Sequence, residues 1–235
     1  MHEISISGEK LFEILGFTVT NTYFLSLLLG LGIFLLTAII FKKASLIPDK
    51  IQNFLEFIFE SLFNFIDSIT GSREKTKEIF PLSCTLFVLI LSSNFLELIP
   101  GVGVFSFLRS PSSDLNFTLA LSLFSVSYIN FLAMRRLGFF TYIKKYVSKN
   151  PIFMFVGVLE GIAELSRIFS LAVRLFGNLF AGEILLIVTS FLFAYIMPLP
   201  FLFLEIIVGF IQAFIFSSLI VIFYTTAAEV AHDHD

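Results

Sequence analysis

Five apolar runs, most of them near the length of a membrane-crossing helix, constrain this chain before anything else. They are Tyr23–Phe41, Phe80–Ile99, Leu115–Met134, Ile184–Met197 and Phe201–Tyr224, and Glu97 and Glu205 are the only charged residues inside them. A helix needs about 20 residues, at about 1.5 Å rise each, to cover the roughly 30 Å of bilayer hydrocarbon. With 57% hydrophobic residues and a mean hydropathy of +0.96 over 235 residues, a soluble domain is excluded. The expected fold is therefore an all-α polytopic membrane protein, one membrane domain over residues 1–235 with about five transmembrane helices. The 33 phenylalanines read as lipid-facing and core filler rather than as an aromatic site. Cys84 is the single cysteine, so no intrachain disulfide forms. Glu3, Glu9 and Glu13 against Lys10 give the N-terminus the wrong charge for a signal or transit peptide.

Basic residues orient the spans. Lys42, Lys43, Lys50, Arg73, Lys75 and Lys77 follow the first run, and Arg135, Arg136, Lys144, Lys145 and Lys149 follow the third, together eleven of the fifteen Lys and Arg. Lys10 and Arg109 are the basic residues of the other side. The positive-inside rule then puts residues 1–22 outside as an N-terminal segment and the C-terminus inside. Residues 51–70 carry Ile51, Phe54, Leu55, Ile58, Leu62, Phe65, Ile66 and Ile69 at helical spacing, with Glu56, Glu60, Asn64 and Asp67 on another face. That pattern predicts an amphipathic interfacial helix.

The runs 23–41, 80–99 and 115–134 are expected to be upright spans, and 158–228 a long, strongly tilted hairpin. A helix from Glu160 to Met197 would reach roughly 57 Å, which fits within about 30 Å of hydrocarbon only at a tilt near 60°. Two prolines two apart in Pro198-Leu199-Pro200 predict the turn before the last helix.

Arg174 lies inside this hairpin with apolar neighbours on both sides. It keeps its proton in any protein setting, and at the bilayer centre it costs about 2.5–3.5 kcal/mol on insertion scales and roughly 10–17 kcal/mol on an isolated helix in simulation. Such a charge marks an ion pathway or a counter-ion. At about 100° per residue, Asn178 (about +40°), Ser170 (about −40°), Arg167 (about +20°), Glu160 (about +40°) and Glu164 (near +80°) share its face, whereas Glu183 falls at about 180° and roughly 13.5 Å further on. Glu205 and Gln212, seven apart, share a face of the last helix. Two intramembrane carboxylates, a fixed cation and two amides describe a proton or cation path with a charged barrier in it. Plainer readings stand beside this one. Glu160, Glu164 and Arg167 are spaced for a salt-bridged stretch near the inner surface, and Glu205 and Gln212 for interhelical hydrogen bonding. An Arg174–Glu183 pair is disfavoured by their opposite faces.

The segment from Ser170 to Glu183, SLAVRLFGNLFAGE, closely resembles the most characteristic stretch of subunit a of F-type ATP synthases. Ser92–Gly101 is similar to that family's second-span ending, Val158–Gly161 to the start of its long helix, and Gly209–Phe216 to its last helix. The resemblance covers essentially the whole chain. It implies a non-catalytic, proton-channel stator subunit with two offset half-channels, facing a rotating c-ring and held by peripheral-stalk b subunits in the lipid bilayer, with no cofactor, metal or nucleic acid. It implies that Arg174 is the stator arginine, Glu183 an outer half-channel residue, Asn178 and Gln212 polar neighbours of the arginine, and Ser170 a small residue one turn before it. Glu205 stands where many members pair a histidine with the glutamate, so this chain has carboxylates at both positions and any relay here lacks the histidine. Asn94, Glu97 and Glu160 are candidate access-channel residues, Glu97 equally a buried carboxyl near the outer surface. The expected location is the plasma membrane of a bacterium, with an organellar inner membrane as alternative. The rival function is a self-contained secondary proton/cation transporter, but the inverted repeats usual there are not visible. Asn116-Phe117-Thr118 and Gly101-Val102-Gly103 read as accidental motif matches, and His232-Asp233-His234-Asp235 as a solvated tail.

Overall fold

A computed structural model describes residues 10–14, 17–43, 45, 48–98, 109–139, 142, 151–192 and 198–229. Strands β1 (Lys10–Ile14) and β2 (Phe17–Thr20) precede α1 (Asn21–Lys43), α2 (Lys50–Thr70) and α3 (Arg73–Leu96). A 3-10 turn at Pro111–Ser113 leads into α4 (Leu115–Leu137), followed by α5 (Pro151–Leu192) and α6 (Pro198–Glu229). Five of these helices, α1, α3, α4, α5 and α6, are long and apolar enough to cross a membrane. The glycines at 101 and 103, the tail from His232 and the lysines at 144, 145 and 149 lie outside the described residues.

Several boundaries differ from those that hydropathy alone predicts. α3 begins seven residues before Phe80, because Arg73–Ile79 is polar but helix-favouring. Pro198 and Pro200 do not exclude the helix as expected. They sit in the first turn of α6, where backbone N–H groups have no intrahelical acceptor and a missing one costs nothing. α5 starts at Pro151, a favourable first helical position, and runs unbroken for 42 residues, about 63 Å. The antiparallel β1–β2 pair, with Glu13 opposite Thr18 and Ile14 opposite Phe17, has no counterpart in the sequence expectations.

Packing follows helical periodicity. Thr76, Ile79, Ser83, Leu86, Phe87, Ile90, Ser93, Asn94 and Glu97 form one buried stripe on and just beyond α3. α6 lies antiparallel along it, the most extensive helix pairing in the fold. The hydroxyls of Ser83 and Ser217 meet at 2.6 Å, Asn94 Nδ2 donates to the Gly209 carbonyl at 2.9 Å, and Phe87 meets Phe210 edge-on at 5.9 Å. A Cβ on Gly209 would come within 3.2 Å of the Asn94 side chain, so the glycine admits this close approach. At the far end, Glu78 accepts hydrogen bonds from the Tyr224 hydroxyl and, at 3.3 Å, from Arg136 Nη1, joining α3, α6 and α4. α5 packs mainly on α4 and less on α6, and Leu171, Leu175 and Leu179 are among its buried residues. Leu62 and Ile66 bury the second half of α2 against this core, while Ile51 and Phe54 at its start stay exposed. α1 is peripheral, with Leu27, Leu31, Phe34 and Leu36 all exposed.

Candidate functional site

The continuous helix α5 presents different chemistry on its two sides. Its buried face is Leu171, Ala172, Leu175 and Leu179. Ile162, Leu165, Phe169, Ser170, Val173 and Arg174 form an exposed face. Ser170 and Arg174 line a groove of about 480 Å³ together with Arg167 of the same helix and Leu219 and Phe223 of α6. The Arg167 guanidinium lies over the Phe223 ring, 4.9 Å from its centroid, an attraction that keeps the cation against α6. No hydrogen bond or ion pair joins Arg174 to any described residue.

Glu160 and Glu164 lie on the same side of α5 as Arg167. Glu164 accepts a hydrogen bond from Asn130 Nδ2 of α4 at 3.1 Å, so it is tied to a neighbouring span rather than only to its own helix. Asn178 is half-buried on α5 and Gln212 half-buried on α6. Two contacts set the antiparallel register of these helices. Arg167 lies over Phe223, and Gly182 lies against Glu205. Interpolating between them places Asn178 within about a turn of Gln212.

On the other side of α5 the carboxyls gather. Glu183 pairs with Arg109, Nη2 to Oε2 at 3.4 Å, not with Arg174. Glu205 is buried against α5, and a Cβ on Gly182 would collide with its Oε1. Glu97 is buried just past the end of α3, within electrostatic reach of Glu183, Glu205 and Arg109. No described protein group donates to any of the four carboxyl oxygens of Glu97 and Glu205, nor to Asn94 Oδ1. Among the described residues, no three acidic, histidine or cysteine side chains converge closely enough to hold a metal ion. Glu97 and Glu205, which receive no such donor, beside a Glu183 that does, suit proton exchange through water better than ion coordination.

Arg109 and Gly182 are the residues that sequence reasoning missed. Arg109 entered only as a basic residue of the outer side, and no periodic signal links it to Glu183, 74 positions further along. Gly182 is needed for the close approach of Glu205. Gly182→Ala is expected to displace that carboxyl at a cost of about 1–3 kcal/mol in stability, as overpacking does. Gly32→Ala on α1, where a Cβ meets nothing within 4 Å, is the control expected to cost nothing. Equal melting temperatures of the two purified variants would show that the contact is unimportant.

Together these features define a class: a helical membrane protein that carries a lone exposed cation in one long span and a buried carboxyl cluster behind it. Comparison with known proteins makes the class specific. Residues 22–225 match the family described as ATP synthase A chain. The ATP synthase subunit a of Syntrophobacter fumaroxidans is 37% identical over 91% of this chain and 85% of its own. Those of Moorella thermoacetica and Desulfosudis oleivorans are each 33% identical, covering 92% and 95% of this chain and 91% and 96% of theirs. The chain belongs to the ATP synthase A chain family, the non-catalytic proton-channel stator subunits of F-type ATP synthases.

Proposed function

We propose that this chain provides two offset aqueous half-channels, separated by Arg174, through which protons reach and leave carboxylates on a rotating c-ring. A proton enters from outside past Glu97, Glu183 and Glu205 and passes to a ring carboxylate near Asn178 and Gln212. After nearly a full turn that carboxylate meets Arg174 from the other side and releases its proton inward, past Ser170 and Glu160. The guanidinium favours the ionised ring carboxylate, as any adjacent opposite charge does, and repels cations that would otherwise cross directly. The observation that carries this reading is the placement of Arg174. It is exposed and unpartnered among the described residues on one face of an unbroken helix, while the carboxyls lie behind another face.

In this reading α5 and α6 lie steeply inclined, since about 63 Å of helix cannot stand upright in about 30 Å of hydrocarbon. The exposed face of α5 meets the ring, α1, α3 and α4 stand on the far side, and α2 lies at the inner surface. The N-terminus is outside and the C-terminus inside a bacterial plasma membrane, as the basic residues direct, and b subunits of the peripheral stalk hold the chain still. Proton flux into vesicles separates this function from that of a self-contained transporter. The chain alone is expected to conduct no more than empty vesicles, and the chain with its c-ring to conduct. Gradient-driven transport by the chain alone would establish the transporter instead.

A further inference from the structure

We infer that Arg109 is a positioning residue of this path: its ion pair makes Glu183 the fixed charged member of the three-carboxyl cluster and leaves Glu97 and Glu205 to pass the mobile proton. The inference rests on the half-channel reading above and adds a division of labour within it.

Arg109 is held by a built seat. Its Nε and Nη2 donate to Ser113 Oγ and to the Ser113 carbonyl, at 3.3 and 3.4 Å. Ser113 Oγ in turn donates to the Ser110 carbonyl at 2.9 Å. The turn is fastened to α3, because Ser110 Oγ donates to the Ser93 carbonyl at 2.8 Å and Ser112 Oγ donates to Ser93 Oγ at 2.7 Å. The next residue, Asp114, caps α4 by accepting from the Asn116 N–H at 2.9 Å and accepts from Thr22 of α1 at 2.6 Å. Ser93, Ser110, Ser112, Ser113, Asp114 and Thr22 are all buried. Three helices thus fix where the guanidinium points, and it points at Glu183.

The charged and titratable groups facing this place are Glu97 from the end of α3, Glu183 from α5, Glu205 from α6, Arg109 from the turn and the capping Asp114 of α4. A buried carboxylate without a partner is costly, and a paired one much less so. Arg109 cannot give up its charge and Asp114 already accepts from the Thr22 hydroxyl and the Asn116 N–H, so within the three-carboxyl cluster the least costly state has one ionised carboxyl beside the guanidinium and protons on the other two. Contact selects Glu183 as the ionised one. Glu97 and Glu205, whose oxygens receive no donor from the described protein groups, are left as the pair that can hold or release a proton. In the transfer Glu205 gives its proton to the ring carboxylate and takes the proton of Glu97, and Glu97 is reprotonated from the outside water.

The test uses the complete synthase in vesicles and follows ATP-driven proton pumping together with the amount of this subunit assembled. Arg109→Gln leaves the partly buried Glu183 without its counter-charge and is expected to lower pumping per assembled complex by at least about tenfold. Arg109→Lys retains the charge and is expected to recover most of that loss. The double variant Arg109→Gln/Glu183→Gln removes both charges and is expected to pump better than Arg109→Gln alone. If Arg109→Gln fails to assemble, recovery of assembled, pumping complex in the double variant carries the same meaning. Wild-type pumping by Arg109→Gln, or a double variant no better than that single one, overturns the inference. Arg174→Gln measured alongside keeps the two claims apart: if it pumps normally, the half-channel reading itself fails, whatever Arg109 does.

Discussion

Arg174→Ala is expected to abolish ATP-driven proton pumping and gradient-driven ATP synthesis while the subunit still assembles at near-normal levels. Assembly survives because Arg174 is exposed and makes no hydrogen bond or ion pair to the described residues, so its loss leaves no buried partner orphaned. In the proposed mechanism pumping fails because both things the guanidinium would supply disappear together, the counter-charge for a ring carboxylate and the barrier between half-channels. A membrane potential supplies about 2.3 kcal/mol per charge per 100 mV, and a leak at this point dissipates it. Arg174→Gln is expected to behave like Arg174→Ala. Arg174→Lys is also expected to be severely impaired, since an ammonium is more compact, more strongly hydrated and able to lose its proton when desolvated. Pumping in inverted vesicles, normalised to assembled subunit, is the measurement. Near-normal coupled pumping by Arg174→Ala would end the proposed mechanism.

The second large effect is expected at the carboxyls behind α5. Glu205→Gln preserves the shape that fits against Gly182 and removes the exchangeable acid, so the fold is retained and proton delivery slows. Glu183→Gln leaves Arg109 without its counter-charge and slows delivery by another route. Because the two carboxyls share one electrostatic environment, the double variant is expected to depart from the product of the single effects by a coupling of about 0.5–3 kcal/mol. Strictly multiplicative rates across the four enzymes would mean that the two acids act independently.

The large-scale fold was legible because its signals are local. Apolar runs of helical length announced the spans, and the 3.6-residue period placed Leu62 and Ile66 on the buried face of α2. Arg174 was legible for the converse reason, a charge where every neighbour is apolar. What hydropathy marks, however, is the lipid-crossing part of a helix, which is why the polar first turns of α3 went uncounted. The prolines at 198 and 200 were read by their usual effect in a helix interior, although a first turn accepts them. Strands of five and four residues carry too little pattern to stand out beside such spans. The Arg109–Glu183 pair needed the tertiary fold, since one partner sits in a loop and no periodicity connects them. Asn130 with Glu164, and Glu78 with Tyr224 and Arg136, were hidden for the same reason.

The contacts between α3 and α6 bear on how such a subunit withstands force. Ser83 with Ser217, Asn94 with the Gly209 carbonyl, and Glu78 with Tyr224 are spread along most of the shared length of the two helices. Around Ser83, Ser217 and Asn94, inside the apolar span, hydrocarbon offers a displaced hydroxyl or amide no other partner, whereas Glu78 lies half-exposed in the polar first turns of α3. Sliding α6 along α3 therefore breaks these contacts together, and they are next regained only near a whole-turn shift, about 5.4 Å away, where the side chains no longer match. In the proposed function, a sideways push from a turning ring would meet something closer to a toothed rack than a greased rail, and the wall that carries Glu205 and Gln212 would keep its position while the rotor moved.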